Sequence, residues 1–365
     1  MLLPVTEDQF LAEYWQQKPL LCPRALPHFR SPLSAEELAG LAMEADVESR
    51  LVWQDAGAWQ QRQGPFTAEH FQREGPWTLL VQGVDSWAPA VSALRNELPK
   101  VPRWRFDDVM VSFATDGAGV GPHFDRYDVF LLQGTGQREW RIGPHCDDTT
   151  AQLNENGLSL LPPFEPEEIY LLDPGDVLYL PPGVAHWGIA RGNAITYSLG
   201  FRAPTLAELT ARRTDAVLDR LSSTSLLEDG YAGLTPGRPG EITAEHLANA
   251  RDAIHNAMDA LDTNRWFGEL VTEPADALEC ISESVEPLGD FVRLAPLTRI
   301  AWAAHARHID LFVMGECVEI PREELEYLVT LCRGDWLERK SMLDQADTLY
   351  QYLCQKGALT DEEIE

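Results

Sequence analysis

The chain lacks a long apolar run, and no stretch approaches the roughly 20 residues that a membrane-spanning helix needs. It also lacks a basic N-terminal segment. The first residues, Met1-Leu2-Leu3-Pro4, are followed at once by Glu7 and Asp8, so we expect no signal peptide. These two absences predict a cytoplasmic protein that has no membrane partner.

Paired cysteines are also missing. The six cysteines are scattered and form no CxxC pair, which excludes a zinc ribbon. Without an export signal, we expect reduced thiols in a cytoplasm. The cysteines are Cys22, Cys146, Cys280, Cys317, Cys332 and Cys354.

Basic residues are scarce. The 29 Lys and Arg are outnumbered by 58 Asp and Glu, and the formal net charge is −29. The excess of acid is spread over the whole chain, which therefore repels phosphate backbones, and we expect no direct binding of nucleic acid. Such acidity is typical of a soluble protein, and it also suits a basic partner such as a ribosomal protein.

The length of 365 residues predicts two or three domains, because one hydrophobic core seldom organises so long a chain. Hydrophobic residues make up 44% and charged residues 24%, which is ordinary for a globular protein and excludes a disordered or collagen-like one. Residues 1–100 have a mixed pattern. Ser34 and Glu37 form a capping box that predicts a helix start, and Trp77–Gln82 predicts a strand.

From Phe106 to Phe201 the sequence is β-rich. Short runs of β-branched and aromatic residues alternate with clusters of Gly and Pro, a pattern typical of a sandwich or barrel. The predicted strands are Val109–Phe113, Val129–Gln133, Glu139–Ile142, Val177–Leu180 and Thr196–Phe201.

The remainder of the chain has a different pattern. Spaced Leu, Ala and Ile predict helices over Thr205–Leu227 and Thr243–Leu261, separated by a Gly- and Pro-rich break at Gly230–Gly240. Residues 275–365 mix both patterns. The predicted elements there are strands at Phe291–Leu294 and Leu311–Met314, and helices over Arg322–Cys332 and Ser341–Cys354.

One constellation points to metal chemistry. In an extended segment, residues two apart share a face, so His123 and Asp125 can direct an imidazole and a carboxylate at one point. His186 follows the turn Pro181-Pro182-Gly183 and can supply a third ligand. Two histidines and one carboxylate on one side of a metal are the facial triad of non-haem Fe(II) oxygenases.

Other histidines are weaker candidates. His145 is a rival third ligand, but it lies soon after Asp125 in a predicted loop. A second His-x-Asp copy, His308-Ile309-Asp310, has no histidine after it, so we interpret it as chance. The remaining histidines have no acid at ligand spacing and are interpreted as surface or packed residues: His28, His70, His246, His255 and His305.

Two long strings carry a family resemblance. Asp173–His186, which reads Asp-Pro-Gly-Asp-Val-Leu-Tyr-Leu-Pro-Pro-Gly-Val-Ala-His, resembles the histidine-bearing signature of cupin-like oxygenases of the JmjC family. Gly117–Arg141 resembles the first metal strand of that family. More closely, both strings are similar to those of bacterial ribosomal oxygenases that hydroxylate arginine. Further matching segments are Ser198–Pro204, Glu37–Glu44 and Ser49–Val52.

The resemblance implies a mixed α and β fold whose core is a double-stranded β-helix, the jelly roll of cupin and JmjC proteins. The resemblance is specific over most of residues 1–205, the implied oxygenase domain with its mixed N-terminal region. For the rest of the chain only the architecture is similar, which implies a helical dimerisation region at 206–270 and a winged-helix-like domain at 271–365. A homodimer is implied.

The resemblance also implies Fe(II), with 2-oxoglutarate and O₂ as co-substrates. The far carboxylate of 2-oxoglutarate needs a cation inside the barrel, and Arg138 and Ser112 match the family positions that bind it. A guanidinium can hold a carboxylate through two parallel hydrogen bonds. On residue type alone, the candidates for this cation are Arg138, Arg141, Arg126 and Arg202.

The implied activity is hydroxylation of the β-carbon of an arginine in a large-subunit ribosomal protein, the L-sixteen protein. An acid or an aromatic face near the iron would suit that cationic target. The nearby candidates are Tyr127, Asp128, Asp116 and Asp107.

Two other functions are compatible with the sequence. The same fold serves cupin-type isomerases and zinc hydrolases, although a keto-acid anchor such as Arg138 with Ser112 is needless in them. A non-enzymatic, ribosome-associated binding module is the second, with the acidic C-terminal half as its contact surface.

Overall fold

The computed structural model describes residues 1–99, 101–228, 238–261, 263–274, 288–295 and 298–361. Cys280 and most of the Gly230–Gly240 break lie outside the described residues. Met1–Ala203 form most of one compact unit, and Pro204–Leu294 with Thr298–Thr360 form a second. None of the helices in the described ranges combines the length and hydropathy that crossing a bilayer requires.

The first unit is built mainly from antiparallel strands. Its helices are α1 (Glu7–Glu13), α2 (Ala35–Leu41) and α3 (Pro89–Ser92). Its strands are β1 (Leu20–Cys22), β2 (Ser49–Asp55), β3 (Ala58–Gln63), β4 (Trp77–Val81), β5 (Phe106–Ala114), β6 (Asp128–His145), β7 (Leu153–Glu155), β8 (Leu158–Leu160), β9 (Glu168–Leu172), β10 (Val177–Leu180) and β11 (Val184–Phe201).

Sequence signals account for several of these boundaries. Helix α2 begins after Ser34, whose side chain accepts from the Glu37 N–H while the Glu37 carboxylate accepts from the Ser34 N–H, so the predicted capping box is confirmed. The strand predicted from Trp77 is confirmed as β4. Its five residues are all buried, since the strand lies between β2 and β5 inside the main sheet.

The main sheet runs in the order β1-β10-β6-β11-β5-β4-β2-β3, and β9 pairs with β6 off this path. Strands β6 and β11 lie antiparallel along their whole length. The Val129–Leu132 half of β6 pairs with β10, and the Arg138–Ile142 half pairs with β9. One long strand pair thus belongs to two neighbouring layers, as a jelly roll requires, and the predicted mixed fold with a β core is confirmed.

The sequence wrongly divided β6 into two strands. Val129–Gln133 and Glu139–Ile142 belong to one element, because the intervening glycines bend the strand and do not end it. Gly136 has a positive φ of 62°, and a Cβ there would lie 2.0 Å from the Asn193 carbonyl oxygen. The pairing register with β11 shifts at the same level. His145 ends this strand, so the loop predicted there is also wrong.

The Gly117–Asp125 stretch is not a strand. It is an irregular segment that lies against β11, where Gly117 N–H donates to Ala190 O and Ala190 N–H to Ala118 O. Gly119 permits this approach, because a Cβ would lie 2.3 Å from the Gly188 carbonyl oxygen. The segment therefore reaches the sheet through backbone hydrogen bonds of its own, without joining a strand ladder.

The core of the first unit packs aromatic residues between the N-terminal helices and the sheet. Phe10 of α1 contacts the rings of Phe130 and Tyr179, at centroid distances of 5.8 and 5.0 Å. The Tyr179 hydroxyl donates to the buried Asp128 carboxylate at 2.5 Å. Burial of this apolar surface is the main stabilising term for the unit.

The second unit contains helices and small sheets. Its helices are α4 (Leu206–Leu218), α5 (Ala244–Asp259), α6 (Arg265–Thr272), α7 (Leu325–Cys332), α8 (Arg339–Gln345) and α9 (Asp347–Gln355). Its strands are β12 (Phe291–Leu294), β13 (Ile300–Ala304), β14 (His308–Val313), β15 (Glu316–Pro321), β16 (Leu337–Glu338) and β17 (Leu359–Thr360). Strands β13, β14 and β15 form an antiparallel meander, and β12 pairs with β16 and β17.

Most predicted elements of this unit are present. The strand at Phe291–Leu294 is confirmed, and Leu311–Val313 lies within β14. The helix predicted over Thr205–Leu227 ends at Leu218, and beyond it the Thr224 N–H donates to the Ser222 hydroxyl at 3.2 Å, a local bond that competes with helical pairing. The roles given to these regions, dimerisation and a winged helix, stay predictions.

Candidate metal centre

The structure brings His123, Asp125 and His186 together. One ligand atom of each lies within 4.8 Å of the other two, and His186 Nε2 is 3.6 Å from Asp125 Oδ2. The two imidazole centroids are 4.3 Å apart. The three residues that the spacing predicted therefore converge on one point in this fold.

The two histidines are joined through their main chains. His123 N–H donates to His186 O at 3.0 Å, and His186 N–H donates to His123 O at 2.8 Å. This reciprocal pair is an isolated β-bridge between the irregular segment and the start of β11. The distance between the ligands is thus set by backbone hydrogen bonds.

Each ring is also held in one tautomer. His123 Nδ1 lies 2.9 Å from Gly121 O, and His186 Nδ1 lies 2.9 Å from Val184 O. A carbonyl oxygen only accepts, so both Nδ1 atoms carry a proton, and the tautomer of the neutral ring is the one whose Nε2 presents a lone pair. In each case the acceptor is the carbonyl two residues earlier. A metal ligand oriented in this way is typical of protein metal sites.

His186 is deeply buried, whereas His123 and Asp125 are half-buried. Burial, and then the charge of the neighbouring His123, lower the pKa of His186 to about 4. The ring is therefore neutral near pH 7, which is the state that binds a metal.

The turn before His186 also positions Asp125. Gly183 N–H donates to Asp125 O at 2.7 Å. Gly183 has a φ of 83°, and a Cβ there would lie 2.7 Å from Cys146 O. Only glycine fits without a shift of the chain, so the Pro-Pro-Gly turn holds the segments of two ligands at once.

Arg138 is a buried cation on β6. It is 5% exposed, and its Nη1 donates to Ser112 Oγ at 3.1 Å. Its Nε and Nη2 are buried and have no hydrogen-bond partner in the described structure. Burial lowers the pKa of Arg138 to about 10, which leaves it protonated near neutral pH. An unpaired buried cation is costly, so these donors indicate an anion site.

Arg138 lies on the same sheet face as His186. Residues two apart on a strand share a face, and the β6–β11 register pairs Arg138 with Ala190 and Trp140 with Gly188. The Trp140 ring lies 5.8 Å from the His186 ring and 5.7 Å from the Arg138 guanidinium. Trp140 therefore bridges the anion site and the metal ligands.

Gly188 makes the space for this arrangement. A Cβ at Gly188 would lie 2.8 Å from the Trp140 ring and 3.0 Å from Arg138 Cδ. Trp140 Nε1 is a further buried donor with no hydrogen-bond partner in the described structure. Sequence reasoning missed Trp140 and Gly188. Trp140 lies on the predicted strand Glu139–Ile142, two residues from Arg138, whereas Gly188 lies in a part of β11 for which no strand was predicted.

The other arginine candidates do not face the site as Arg138 does. Arg141 is ion-paired with Glu139 at 2.9 Å. Arg126 is largely exposed and paired with Asp148, and Arg202 is exposed. Arg138 is the one of the four predicted candidates whose guanidinium is buried.

The acidic and aromatic candidates divide into two groups. Asp128 is buried in the aromatic core, where its carboxylate accepts from Tyr179, Gln16 and Arg105, so the structure does not support a substrate role for it. Tyr127 and Asp116 are exposed, and Asp107 is half-buried. Asp116 accepts a hydrogen bond from Gly192 N–H at 2.7 Å.

The remaining histidines take different positions. His145 is exposed at the end of β6 and is not part of the ligand set. His70 and His246 each act as the side-chain partner in a helix-start capping box. His305, interpreted from the sequence as a surface or packed residue, lies 2.9 Å from Asp310 Oδ2 and joins His308 in a second ligand cluster.

The residues present fit both a metal ion and an acidic co-substrate. Two imidazole nitrogens with a carboxylate oxygen form a donor set suited to Fe(II) with open positions. The unpaired donors of Arg138, beside Ser112, suit a carboxylate that is bound through two hydrogen bonds. The site thus contains a place for each of the two groups.

Comparisons with known proteins agree with this geometry. Residues 93–209 match the family described as the JmjC domain. The chain is 38% identical over 285 residues to the ribosomal protein uL16 3-hydroxylase of Escherichia coli, covering 76% of this chain and 74% of that one. It is 36% identical over 209 residues to a probable ribosomal oxygenase of Haemophilus influenzae, covering 56% and 52%.

Solved structures are similar over nearly the whole chain. The X-ray structure of E. coli YcfD superposes with a TM-score of 0.84 at 32% identity and covers 98% of both chains. YcfD, a ribosomal oxygenase, in complex with cobalt and 2-oxoglutarate superposes with a TM-score of 0.81 at 31% identity, again over 98% of both chains.

Proposed function

Because the chain belongs to the JmjC-domain ribosomal oxygenases, we propose that it is an Fe(II)- and 2-oxoglutarate-dependent hydroxylase of a ribosomal protein. This membership confirms the resemblance drawn from the strings Asp173–His186 and Gly117–Arg141. The observation that carries the proposal is a two-histidine, one-carboxylate triad whose His186 shares a sheet face with a buried arginine that has unpaired donors.

His123, Asp125 and His186 hold the iron in this proposal. When bound, the metal would activate O₂, which is the oxidant, and 2-oxoglutarate would supply two electrons: its decarboxylation to succinate and CO₂ takes up one oxygen atom of O₂, and the other atom goes to the substrate. The Nδ1–carbonyl hydrogen bonds keep both Nε2 lone pairs directed at the metal position. The buried, neutral His186 needs to lose no proton before it binds.

Arg138 and Ser112 bind the far carboxylate of 2-oxoglutarate. The unpaired Nε and Nη2 of Arg138 supply the two hydrogen bonds that a carboxylate accepts side by side. Trp140 closes the space between the arginine and His186 and excludes water there. Low local polarity strengthens the charge-assisted pair, because buried electrostatic interactions are screened less.

The proposed substrate is uL16, on which the E. coli relative acts according to its name. We propose an arginine as the target and its β-carbon as the hydroxylated position. The net charge of −29 favours encounter with a basic ribosomal protein. Asp107, Asp116 and Tyr127 are candidates for contact with the cationic side chain.

The organisation proposed from the sequence accompanies this function. Residues 1–205 form the oxygenase domain, residues 206–270 a dimerisation region and residues 271–365 a winged-helix-like domain. We propose a cytoplasmic homodimer that binds no nucleic acid directly. An isomerase or hydrolase on the same fold would have no use for the buried Arg138, and a purely structural module would need neither site.

The test is succinate release from 2-oxoglutarate in the presence of Fe(II), with and without a uL16 fragment that contains candidate arginines. We expect turnover that the fragment stimulates, together with a mass increase of one oxygen on one arginine. Turnover without a mass increase on uL16 would refute the proposed substrate. No turnover under any condition would refute the oxygenase.

A matched pair of histidine variants sharpens this test. His186→Ala removes a proposed ligand, whereas His145→Ala removes an exposed imidazole near the site that is outside the ligand set. We expect the first variant to lose turnover and the second to keep it. Equal turnover in both variants would contradict the assignment of His186.

A further inference from the structure

The second unit contains another set of two imidazoles and one carboxylate. Strands β13 and β14 form a hairpin, and His305 and His308 flank its two-residue turn, Ala306-Arg307. His305 N–H donates to His308 O at 2.9 Å, which places the two histidines directly opposite each other. Asp310 lies two residues beyond His308 on β14, on the same face.

These three side chains converge. His305 Nε2 is 2.9 Å from Asp310 Oδ2, and His308 Nε2 is 3.4 Å from Asp310 Oδ1. The two rings stack at 4.6 Å with an interplanar angle of 21°. One ligand atom from each residue lies within 4.8 Å of the others. The hairpin thus places two Nε2 atoms beside one carboxylate.

His305 Nε2 is within hydrogen-bond distance of Asp310, and the spacing of the whole set also fits a metal ion. A tetrahedral ion with bonds of about 2.0–2.1 Å has its ligand atoms about 3.3 Å apart. The measured separations of 2.9 and 3.4 Å bracket that value. The longer one exceeds an ordinary N–H···O hydrogen bond, so His308 is brought close to Asp310 without being bonded to it.

The neighbouring residues leave the cluster accessible. Ala303 pairs with Asp310 across the hairpin, and its small side chain leaves space on that face. Glu319 pairs with Asp310 on the other side, on β15, and is exposed. The three cluster side chains are 37%, 38% and 15% exposed, so an ion from solvent can reach them.

Two arginines near the cluster have other partners. Arg265, whose charge also acts on Asp310, is ion-paired with Glu269 at 2.7 Å. Arg322 donates to the His305 carbonyl oxygen at 2.6 Å, which leaves the imidazole free of it. Cys317 keeps its proton, since burial raises the pKa of its thiol to about 11.

We propose that His305, His308 and Asp310 form a Zn²⁺ site. Imidazole nitrogens with one carboxylate oxygen are ligands that zinc prefers, and Zn²⁺ accepts four donors. Glu319 or a water molecule completes the set. The ion would join the two sides of the hairpin turn and stabilise the folded second unit, because it binds the folded chain in preference to the unfolded one. This inference does not depend on the proposed oxygenase activity.

The test measures zinc directly, in full-length protein that carries Asp125→Ala and His186→Ala so that the first triad does not compete. Equilibrium dialysis against ZnCl₂ with elemental analysis should show one bound equivalent. Adding His308→Ala should weaken binding by more than about 100-fold, since even loss of a hydrogen-bond partner of a metal ligand costs about 10- to 100-fold. His305→Ala should have the same effect.

Matched controls separate the cluster from chance binding. His255→Ala removes an exposed histidine on α5, and Cys317→Ser removes a thiol near the cluster. Both should keep the bound equivalent. Zinc should also raise the thermal midpoint of the background protein and leave that of the His308→Ala variant unchanged.

Either of two results would overturn the proposal. The first is that dialysis finds no zinc bound to the background protein. The second is that one equivalent of zinc stays bound in both the His305→Ala and the His308→Ala variant. Where an alanine variant loses its circular dichroism signal, His305→Gln and His308→Gln replace it. These keep a polar side chain at the turn and remove the imidazole ligand.

Discussion

The molecule contains two clusters with the same three residue types. His123, Asp125 and His186 form the barrel triad, and the hairpin triad comprises His305, His308 and Asp310. Ligand chemistry does not distinguish them. The difference lies in how each set is assembled and in what surrounds it.

The barrel triad joins two distant parts of the chain. Its histidines meet through a reciprocal backbone bridge, and each ring is fixed by a carbonyl through Nδ1. The hairpin triad comes from six consecutive residues around one turn. It is assembled by local pairing alone, and its histidines are more than one third exposed.

The surroundings differ more than the ligands. Beside the barrel triad lie a fully buried arginine with unpaired donors and the indole of Trp140. Beside the hairpin triad, in the described part of the chain, Arg265 and Arg322 are already engaged. A ligand set therefore predicts a metal, whereas the buried cation next to it predicts a keto-acid co-substrate and the reaction.

The largest expected effect separates the two triads by function. His123→Ala should reduce 2-oxoglutarate turnover by more than about 100-fold, because the lost ligand has no substitute. His305→Ala, the matching change in the hairpin triad, should leave turnover within about twofold of wild type. Succinate release measures both. Comparable losses of turnover in the two variants would show that the two clusters do not differ in function.

The next effect tests the buried cation. Arg138→Met should raise the KM for 2-oxoglutarate by about 30- to 1,000-fold, since a charge-assisted bidentate pair contributes roughly 2–4 kcal/mol. Fe(II) affinity should stay unchanged. Arg141→Met, beside it on β6, is the control and should change KM little. Weaker iron binding with an unchanged KM would remove Arg138 from its proposed role.

A smaller effect concerns the acidic surface outside both triads. Raising the salt concentration shortens the Debye length from about 10 Å at 0.1 M to about 3 Å at 1 M. The association rate with a basic ribosomal protein should then fall by about tenfold or more, because charge steering weakens. Turnover of 2-oxoglutarate without protein substrate should hardly change. A rate that is flat across this range would limit the acidity to a role in solubility.

The smallest effect concerns Asp108, a second titratable group of the first unit whose pKa is shifted by burial. Burial, and then Asp85 and Asp107, raise the pKa of Asp108 to about 6, above its unfolded value of 3.8. The folded protein therefore binds more protons than the unfolded chain between about pH 4 and 6. This carboxyl makes the protein less stable as the pH rises through that window.

Asp108→Asn should flatten that dependence, because the amide does not ionise. Thermal midpoints at pH 4.5 and 6.5 measure it, with the exposed Asp46→Asn as control. A wild-type midpoint that increases from pH 4.5 to 6.5, with the same increase in Asp108→Asn, would show that Asp108 is not a destabilising buried charge.

The sequence alone predicted that the three residues of the barrel triad converge, because spacing two apart and a Pro-Pro-Gly turn are local signals, and their role as metal ligands stays a prediction. It did not predict that the His123 segment would be irregular, since backbone bonds from β11 substitute for a strand ladder there. Arg138 was selected over Arg141 by resemblance, because alternation along one strand does not tell which face is buried.

The hairpin triad was missed because the third ligand was sought only on the C-terminal side of the His-x-Asp motif. The His308-Ile309-Asp310 copy lacked a histidine after it, whereas the structure supplies His305 from before it, across the turn. Strand pairing places residues opposite each other in either order along the chain. A search for ligands on both sides of a turn signal would have found this cluster.

The bridge between His123 and His186 has a consequence for how the protein tolerates change. Both the spacing of the two rings and the choice of their protonated nitrogen depend on main-chain atoms, which every residue type possesses. Substitutions at Val184 or at other side chains nearby can therefore alter packing without redirecting the ligands. Many substitutions around the site should therefore leave the positions of the metal ligands unchanged. Substrate specificity can change in this way while the metal position stays the same.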